Sequence, residues 1–552
     1  MRQKALYFLF LAVLILPNII LTFTEGHSLT ACIAAIALPL AAYGVLMSLS
    51  RRTARTFVLA FPLLFLGAFQ IVLTYLYGRG PIAVDMWLNL VTTNSGEVGE
   101  LLSQLIPAIV WVVVIYIPSI AVGIVGWVRH WQADGAFIRR SLQVSLCALA
   151  AALLFTAGAT AAGALTPTND IFPINACCNL SMAFGREKAS AQYVEAVRDF
   201  SYNATCEPSD TMPQVIVCVI GETSRADNWQ LYGYGRRTNP KLSAIGGLTV
   251  FTDYMSQSNT THKSVPILLS PASAEDYDIL YRTKGIAAAF SEAGYHTVFI
   301  SNQQRNHSFI DFLGEQADEV LFLRDKQPLM APDGSMVVPL ARVLARSKDR
   351  RVFIILHTYG SHFDYEDRYP RSFARFKPDH IESAKRQLRT QLVNAYDNSI
   401  AYTDQLLADI ITMLGRHGGS TAMLYTADHG EDIFDDSRGL FLHASPFPSF
   451  YQLHVPLIVW TSEAYRQRHA DVAAALSLNS RRPAASNSVF HTLLGMGGVS
   501  TPYRNDSLSL ASRSYTPHRR LFIDDHNTPL TYRECMQEED ISLMKLKHIS
   551  YE

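Results

Sequence analysis

The chain has 552 residues, with 47 Lys and Arg against 48 Asp and Glu, a formal net charge of −1 that leaves no basic footprint for a nucleic acid. Apolar residues make up 49 % of it and crowd into the first third, so membrane segments come before any globular core in the reading.

Five apolar stretches, residues 5–23, 28–49, 56–77, 105–128 and 141–165, each reach the roughly twenty residues that a bilayer requires. Pro17, Pro39, Pro62, Pro107 and Pro118 interrupt them, which membrane helices tolerate. A signal peptide followed by core helices is the competing reading, and five such stretches in series count against it. Basic residues set the orientation. Arg2 and Lys4 precede the first stretch, Arg51, Arg52 and Arg55 follow the second, and Arg129, Arg139 and Arg140 follow the fourth. The alternate loops carry Glu25, then Arg79 against Asp85, Glu97 and Glu100. The amino terminus is therefore expected in the cytoplasm. An odd number of crossings puts everything after residue 165 outside, which in a bacterium is the periplasmic face of the inner membrane.

Between the third and fourth stretches, Asn89, Thr93 and Glu97 recur every four residues, which puts them on one face of a helix near 85–104. The plain reading of such a helix is an amphipathic segment at the membrane surface. Residues 166–211 read as a connector rich in small and polar residues, and 212–552 as the outer, catalytic domain.

Cys32 and Cys147 fall in spans and Cys218 in an apolar run, where a small buried thiol is the expected state. Cys177, Cys178, Cys206 and Cys535 remain for an oxidising compartment, and four cysteines allow three pairings. Adjacent cysteines rarely bridge, so one of Cys177 and Cys178 is expected to join Cys206. The partner of Cys535 stays open.

In the outer part, strand-like runs at 215–220, 296–301, 352–357, 421–426 and 454–460 alternate with helical patterns such as 284–293 and 382–414. That alternation predicts an α/β domain whose central, mostly parallel sheet is covered on both faces. The last fifty residues are polar and loop-rich. Two of the apolar runs end in candidate ligands, Glu222 in one case and Asp428-His429 in Thr426-Ala427-Asp428-His429-Gly430-Glu431 in the other. The C-terminal edge of such a sheet is where active sites form. Glu, Asp and His there make an N/O donor set suited to zinc. Thr260 and Thr261 precede Ser264-Val265-Pro266. They read as a helix N-cap, or, beside a metal, as a hydroxyl nucleophile.

Taken in order, Glu222-Thr223-Ser224-Arg225, Leu231-Tyr232-Gly233-Tyr234, Thr261 with Ser264-Val265-Pro266, Asp428-His429-Gly430-Glu431 and Leu442-His443 resemble the phosphoethanolamine transferases of the alkaline-phosphatase/sulfatase superfamily. The resemblance implies a multi-pass α-helical membrane domain of five helices followed by an α/β sulfatase-like periplasmic domain. It makes Thr261, chosen over Thr260 by its spacing to Ser264-Val265-Pro266, the nucleophile that becomes phosphorylated. Glu222, Asp428 and His429 complete the ligands of one tightly held zinc ion. His362 and His443 match histidines that hold the phosphoryl group or a second zinc during turnover, and Glu431 supports them. His357, in the same run as His362, either joins these histidines or is a strand-end residue buried for packing. Asn89, Thr93 and Glu97 match residues that contact the lipid substrate. Asn302, Gln303 and Arg305 stand where relatives carry a polar-basic substrate loop. Gln257 and Ile267 replace a disulfide that often flanks the nucleophile in lipid A-modifying members.

The implied reaction moves phosphoethanolamine from phosphatidylethanolamine through phospho-Thr261 to a membrane-associated acceptor: lipid A, a core sugar or another glycan. Membrane tethering raises the effective concentration of the site over its lipid donor. A phosphoglycerol transferase is the runner-up. A sulfatase activity lacks its Cys/Ser-x-Pro-x-Arg run near Thr261, and a non-catalytic scaffold has no need for the full ligand set.

Overall fold

A computed structural model describes residues 2–25, 28–77, 80–92, 95–206, 212–325 and 331–552, giving the backbone alone for 2, 76–77, 89–92 and 95–105. The chain divides into a helical unit ending at Arg186 and a second unit from Glu187 onward.

In the first unit, Gln3–Thr24, Leu29–Ser48, Ile106–Val128 and Gly135–Ala161 are each long and apolar enough to cross a membrane. The expected third span is a bent pair, Thr53–Leu59 and Phe61–Tyr75, turned by 59°. Pro62 explains the break. Its ring nitrogen has no hydrogen to give the Val58 carbonyl, and Ala60 leaves helical geometry at ψ 15°. Ser28 and Asp134 cap two of the helices, accepting from the Ala31 and Phe137 amides. Two polar side chains inside this unit show the internal pairing that a medium without water favours. The Asn18 amide donates to the Ala35 and Phe172 carbonyls at 3.0 and 2.6 Å, and Gln70 bridges Thr74, Gly80 and Ile82.

The expected connector is largely helical, with Ile174–Ala196 taking up 23 residues of it. Ala176, Asn179 and Ala183 are buried along one side, a helical period that the surrounding polar residues mask in the sequence. The expected disulfide does not form, and none of the seven cysteines is bridged to another. Cys206 is fixed opposite Val499 in a two-residue strand pair, with its Sγ 3.7 Å from the Gly497 carbonyl. Cys535 lies among Tyr532, Met536, Ile541 and Met544 in an apolar cluster.

The second unit is built on a seven-stranded sheet. Its strands are β1 (Gln214–Gly221), β2 (Leu248–Phe251), β3 (His296–Ser301), β4 (Glu319–Phe322), β5 (Arg351–His357), β6 (Ser420–Ala427) and β7 (Leu457–Thr461). They lie in the order β2-β7-β6-β1-β5-β3-β4. β6, β1, β5, β3 and β4 are parallel, and only β7 runs against its neighbours. The central strands are buried along their whole length, so they read as unbroken apolar runs rather than alternating ones. Ile216, Cys218, Ile220, Phe353 and Ile355 share one core with Phe290 and Leu493. Helix Arg389–His417 packs against β6.

The polar C-terminal stretch folds as a hairpin, Leu521–Ile523 with Pro529–Thr531, and a helix, Glu538–Leu546. Asp540 of that helix takes a forked pair of hydrogen bonds from Arg438 at 2.6 and 2.9 Å, and Lys547 pairs with Asp227. Arg438 lies shortly after Glu431, and Asp227 shortly after Glu222.

Candidate active site

β1 and β6 lie side by side with Ile220 opposite Thr426 and Gly221 opposite Ala427, so Glu222 and Asp428 emerge together one step past the paired ends. The Asp428 amide continues the ladder to the Gly221 carbonyl at 3.1 Å. Thr223 turns the chain away at φ 55°, and its amide donates to Asp428 Oδ1. His429 points its Nδ1–H at the Gly430 carbonyl, 2.9 Å away, which aims Nε2 inward. Nε2 lies 3.3 Å from Asp428 Oδ2 and 3.4 Å from Glu222 Oε1. One ligand atom from each of Glu222, Asp428 and His429 falls within 4.8 Å of the others, and all three residues are buried.

Two buried carboxylates at such range repel each other unless a cation lies between them. Asp428 Oδ2 is shielded and has no hydrogen-bond partner. Burial works against a charged His429, but the neighbouring Asp428 and Glu222 carboxylates outweigh it and raise the imidazole pKa. This donor set, with an orphaned carboxylate oxygen and an imidazole oriented through its far nitrogen, fits a divalent ion of zinc type.

Thr261 arrives from another element, as the first residue of helix Thr261–Leu269. Its Oγ1 lies 3.3 Å from each Glu222 carboxylate oxygen and 3.0 Å from His429 Nε2. Thr260 occupies the N-cap position without capping, its hydroxyl turned 3.2 Å from Ser258 Oγ. Of the two threonines, Thr261 therefore faces the cluster. Pro266 leaves the His262 carbonyl without its helical donor, and the Tyr277 hydroxyl supplies one at 3.3 Å.

A second tier of groups surrounds the cluster. The His443 ring packs 4.2 Å from that of His429, and His362 lies 6.2 Å further on. His443 Nδ1 meets Glu431 Oε2 at 2.9 Å, while the Tyr365 hydroxyl donates to the other oxygen of Glu431. His362 Nδ1 donates to the Phe363 carbonyl at 2.6 Å, and Arg368 Nε donates to the His362 carbonyl at 2.7 Å. Burial drives the pKa of His443 down to about 3 and of His362 to about 4, so both stand as neutral imidazoles. It pushes Glu431 up to about 8.

The expected substrate loop after β3 divides. Gln303 Nε2 donates to Glu222 Oε2 at 3.2 Å and to the Thr358 carbonyl, so it belongs to the cluster. Asn302 does not. It is buried beneath the site with its amide on Asp333 Oδ1 and the Ala331 carbonyl, because the turn after the strand sends alternate side chains inward. Arg305 is spent on ion pairs with Asp325 and Glu315. His357 is buried against Ser301, as expected of a packing residue. Thr93, and the side chains of Asn89 and Glu97, lie outside the described residues; Asn89 is in helix Val84–Thr92 and Glu97 in helix Ser95–Val128.

Some supporting groups show nothing of their role in the sequence. Asp333 accepts the Tyr359 and Gly360 amides, each at 2.8 Å, and so fixes the loop that carries His362. Arg225, known from the sequence only as part of a motif, holds Asp435 in a forked ion pair, donates to the Glu431 carbonyl, and contacts Asn228.

Residues 214–499, just over half the chain, match the family model described as Sulfatase. The chain belongs to the sulfatase family. Among its curated relatives, this sulfatase-family chain is similar to the Kdo(2)-lipid A phosphoethanolamine 7''-transferase of Escherichia coli, 29 % identical over 318 residues. The match takes in 55 % of this chain and 54 % of that protein, so the chain spans about half the length of the curated relatives it matches. It also resembles the zinc complex of the C-terminal periplasmic domain of EptC from E. coli, with TM-score 0.55 and 25 % identity over 61 % of this chain and 97 % of that one. The integral membrane lipooligosaccharide phosphoethanolamine transferase A of Neisseria meningitidis has the same fold. Its TM-score is 0.73 at 21 % identity, covering 92 % of this chain and 97 % of that one. With its apolar helices and that fold, this member of the sulfatase family is a multi-pass membrane protein.

Proposed function

We propose that the chain transfers phosphoethanolamine from phosphatidylethanolamine to lipid A, a core sugar or another envelope glycan, by way of a phosphorylated Thr261. The observation that carries this reading is the placement of the Thr261 hydroxyl against Glu222 and His429, inside the cluster that fits a metal. The names of the Escherichia coli and Neisseria meningitidis phosphoethanolamine transferases that it resembles support it.

Glu222, Thr261, Asp428 and His429 would hold one zinc ion, which when bound lowers the pKa of a ligating hydroxyl and neutralises charge on a phosphoryl oxygen. Thr261 Oγ1 then attacks phosphorus, the bond to the diacylglycerol oxygen breaks, and diacylglycerol leaves with a proton. An acceptor oxygen next displaces the phosphoryl group, returning Thr261 to its hydroxyl form. His362 gives its Nδ1 proton to the Phe363 carbonyl, so its Nε2 lone pair would suit a second zinc, while His443, with Nδ1 on Glu431, would turn Nε2 to the phosphoryl group. Gln303 steadies Glu222 and Glu431 orients His443. Asn89, Thr93 and Glu97 guide the donor lipid, and the reaction takes place on the periplasmic side.

The test uses the full chain in lipid with labelled phosphatidylethanolamine. Diacylglycerol should appear, and a peptide containing Thr261 should gain the mass of phosphoethanolamine. Diacylglycerol release without that adduct overturns the two-step route. Release from phosphatidylglycerol in preference to phosphatidylethanolamine overturns the head-group assignment.

A further inference from the structure

A row of rings leads outward from the metal cluster and ends at a cation. His429 packs on His443, His443 lies by His362, the Tyr359 ring is 5.2 Å from His362, and the Arg324 guanidinium carbon sits 4.7 Å over Tyr359. The neighbouring basic groups are already committed. Arg368, 4.3 Å over the same ring, gives its hydrogens to the His362 and Phe363 carbonyls, and Arg305 has two acids.

Arg324 has no such partner. Among the described residues no acid pairs with it and no hydrogen bond leaves its guanidinium, while Nη1 is shielded from solvent without an acceptor. A shielded, unsatisfied charged donor is costly and rare in a folded protein unless something arrives to satisfy it. Stacking on a tyrosine holds a guanidinium by its face and leaves its in-plane N–H edge free. That edge matches two oxygens of a phosphate.

We infer that Arg324 recognises a phosphate group on the acceptor, one ring out from His362. This rests on the transferase reading above. The donor's own phosphorus has to meet Thr261, so the phosphate at Arg324 belongs to the second substrate, and a different oxygen of that substrate attacks. In that step the acceptor O–P bond forms, the P–Oγ1 bond to Thr261 breaks, and the acceptor's proton passes to Thr261 Oγ1. The acceptor class is thus a glycan or glycolipid that carries a phosphate at some remove from its reacting oxygen.

The experiment compares the full chain and R324Q in lipid nanodiscs with zinc and phosphatidylethanolamine. Two acceptors are supplied, a phosphorylated glycolipid and the same molecule with its phosphate removed. R324Q should raise the KM for the phosphorylated acceptor at least tenfold relative to that for the dephosphorylated one, and R324K should recover part of the loss. Equal KM ratios in R324Q and the parent overturn the inference. A rise in the KM for phosphatidylethanolamine instead assigns the contact to the donor and overturns the acceptor assignment. A uniform fall in all rates with a lowered melting temperature makes Arg324 a fold residue and also overturns it. Should the parent chain fail to cleave phosphatidylethanolamine, the transferase reading is what fails. Glucosamine 1-phosphate titrated onto the parent and R324Q then decides the phosphate contact, and equal affinities overturn it.

Discussion

Gly360 lies directly against the backbone of Glu222: a Cβ built on it would stand 2.5 Å from the Glu222 carbonyl oxygen and 2.7 Å from its nitrogen. The same glycine has φ 53°, a left-handed conformation that costs other residues about 1–2 kcal/mol. Gly360→Ala should therefore push Glu222 out of the cluster. The expected outcome is a loss of bound zinc in metal analysis together with lost transfer. Normal zinc content with normal activity would show that the loop yields without disturbing Glu222.

Thr261 and Thr260 separate cleanly by side-chain direction. Thr261→Ala should abolish the phosphoethanolamine adduct and lower transfer on the order of a thousandfold or more, as loss of a nucleophile does. Thr260→Ala should keep the adduct, since its hydroxyl faces Ser258. Adduct formation in the Thr261→Ala protein, read by peptide mass spectrometry, would move the nucleophile elsewhere.

Chelation should act on stability as well as on rate. Without a cation, Glu222 and Asp428 face each other in a buried pocket, so the metal-free protein should melt at a lower temperature and be inactive. Added zinc should restore both properties. Full activity at undetectable metal content would remove the metal from the mechanism.

The Arg225–Asp435 pair gives a dependence on pH with a defined sign. Burial alone would raise the Asp435 pKa, but Arg225, hydrogen-bonded at 2.6 and 3.0 Å, outweighs it and holds the carboxyl below its ordinary range. The folded value lies under the unfolded one, so the stabilisation is complete above about pH 4 and fades as pH falls through the folded value. Asp435→Asn should flatten the loss of urea stability on acidification. Arg225→Ala, which leaves a buried carboxylate alone, should cost about 3–5 kcal/mol at neutral pH. An acid limb unchanged in Asp435→Asn would assign that limb to other carboxyls.

The parts of this molecule that the sequence made legible are those written into local chemistry. β1, β3, β5 and β6 begin and end within a residue of their apolar runs because both faces of each are buried. Glu222 and Asp428 converge because those runs end in register. The bent third span, the helix Ile174–Ala196 and the unbridged Cys206 were not legible, since each depends on which groups lie opposite after folding. Asn302 shows the limit sharply. It adjoins Gln303 in the sequence, yet one residue touches Glu222 and the other is tied to Asp333, 31 residues away in the chain. Tyr365, Asp333 and Arg324 belong to no motif and reach the site only through the loops around β5 and after β4.

The helix Glu538–Leu546 bears on the order in which the protein can be made. Through Asp540 and Lys547 it grips the loops that follow Glu431 and Glu222, and it is translated after every strand of the central sheet. A growing chain thus has Glu222, Asp428 and His429 in hand well before the side chains that brace their loops. During synthesis the two loops pass through a period with their apolar floor built and their outer buttress still to come.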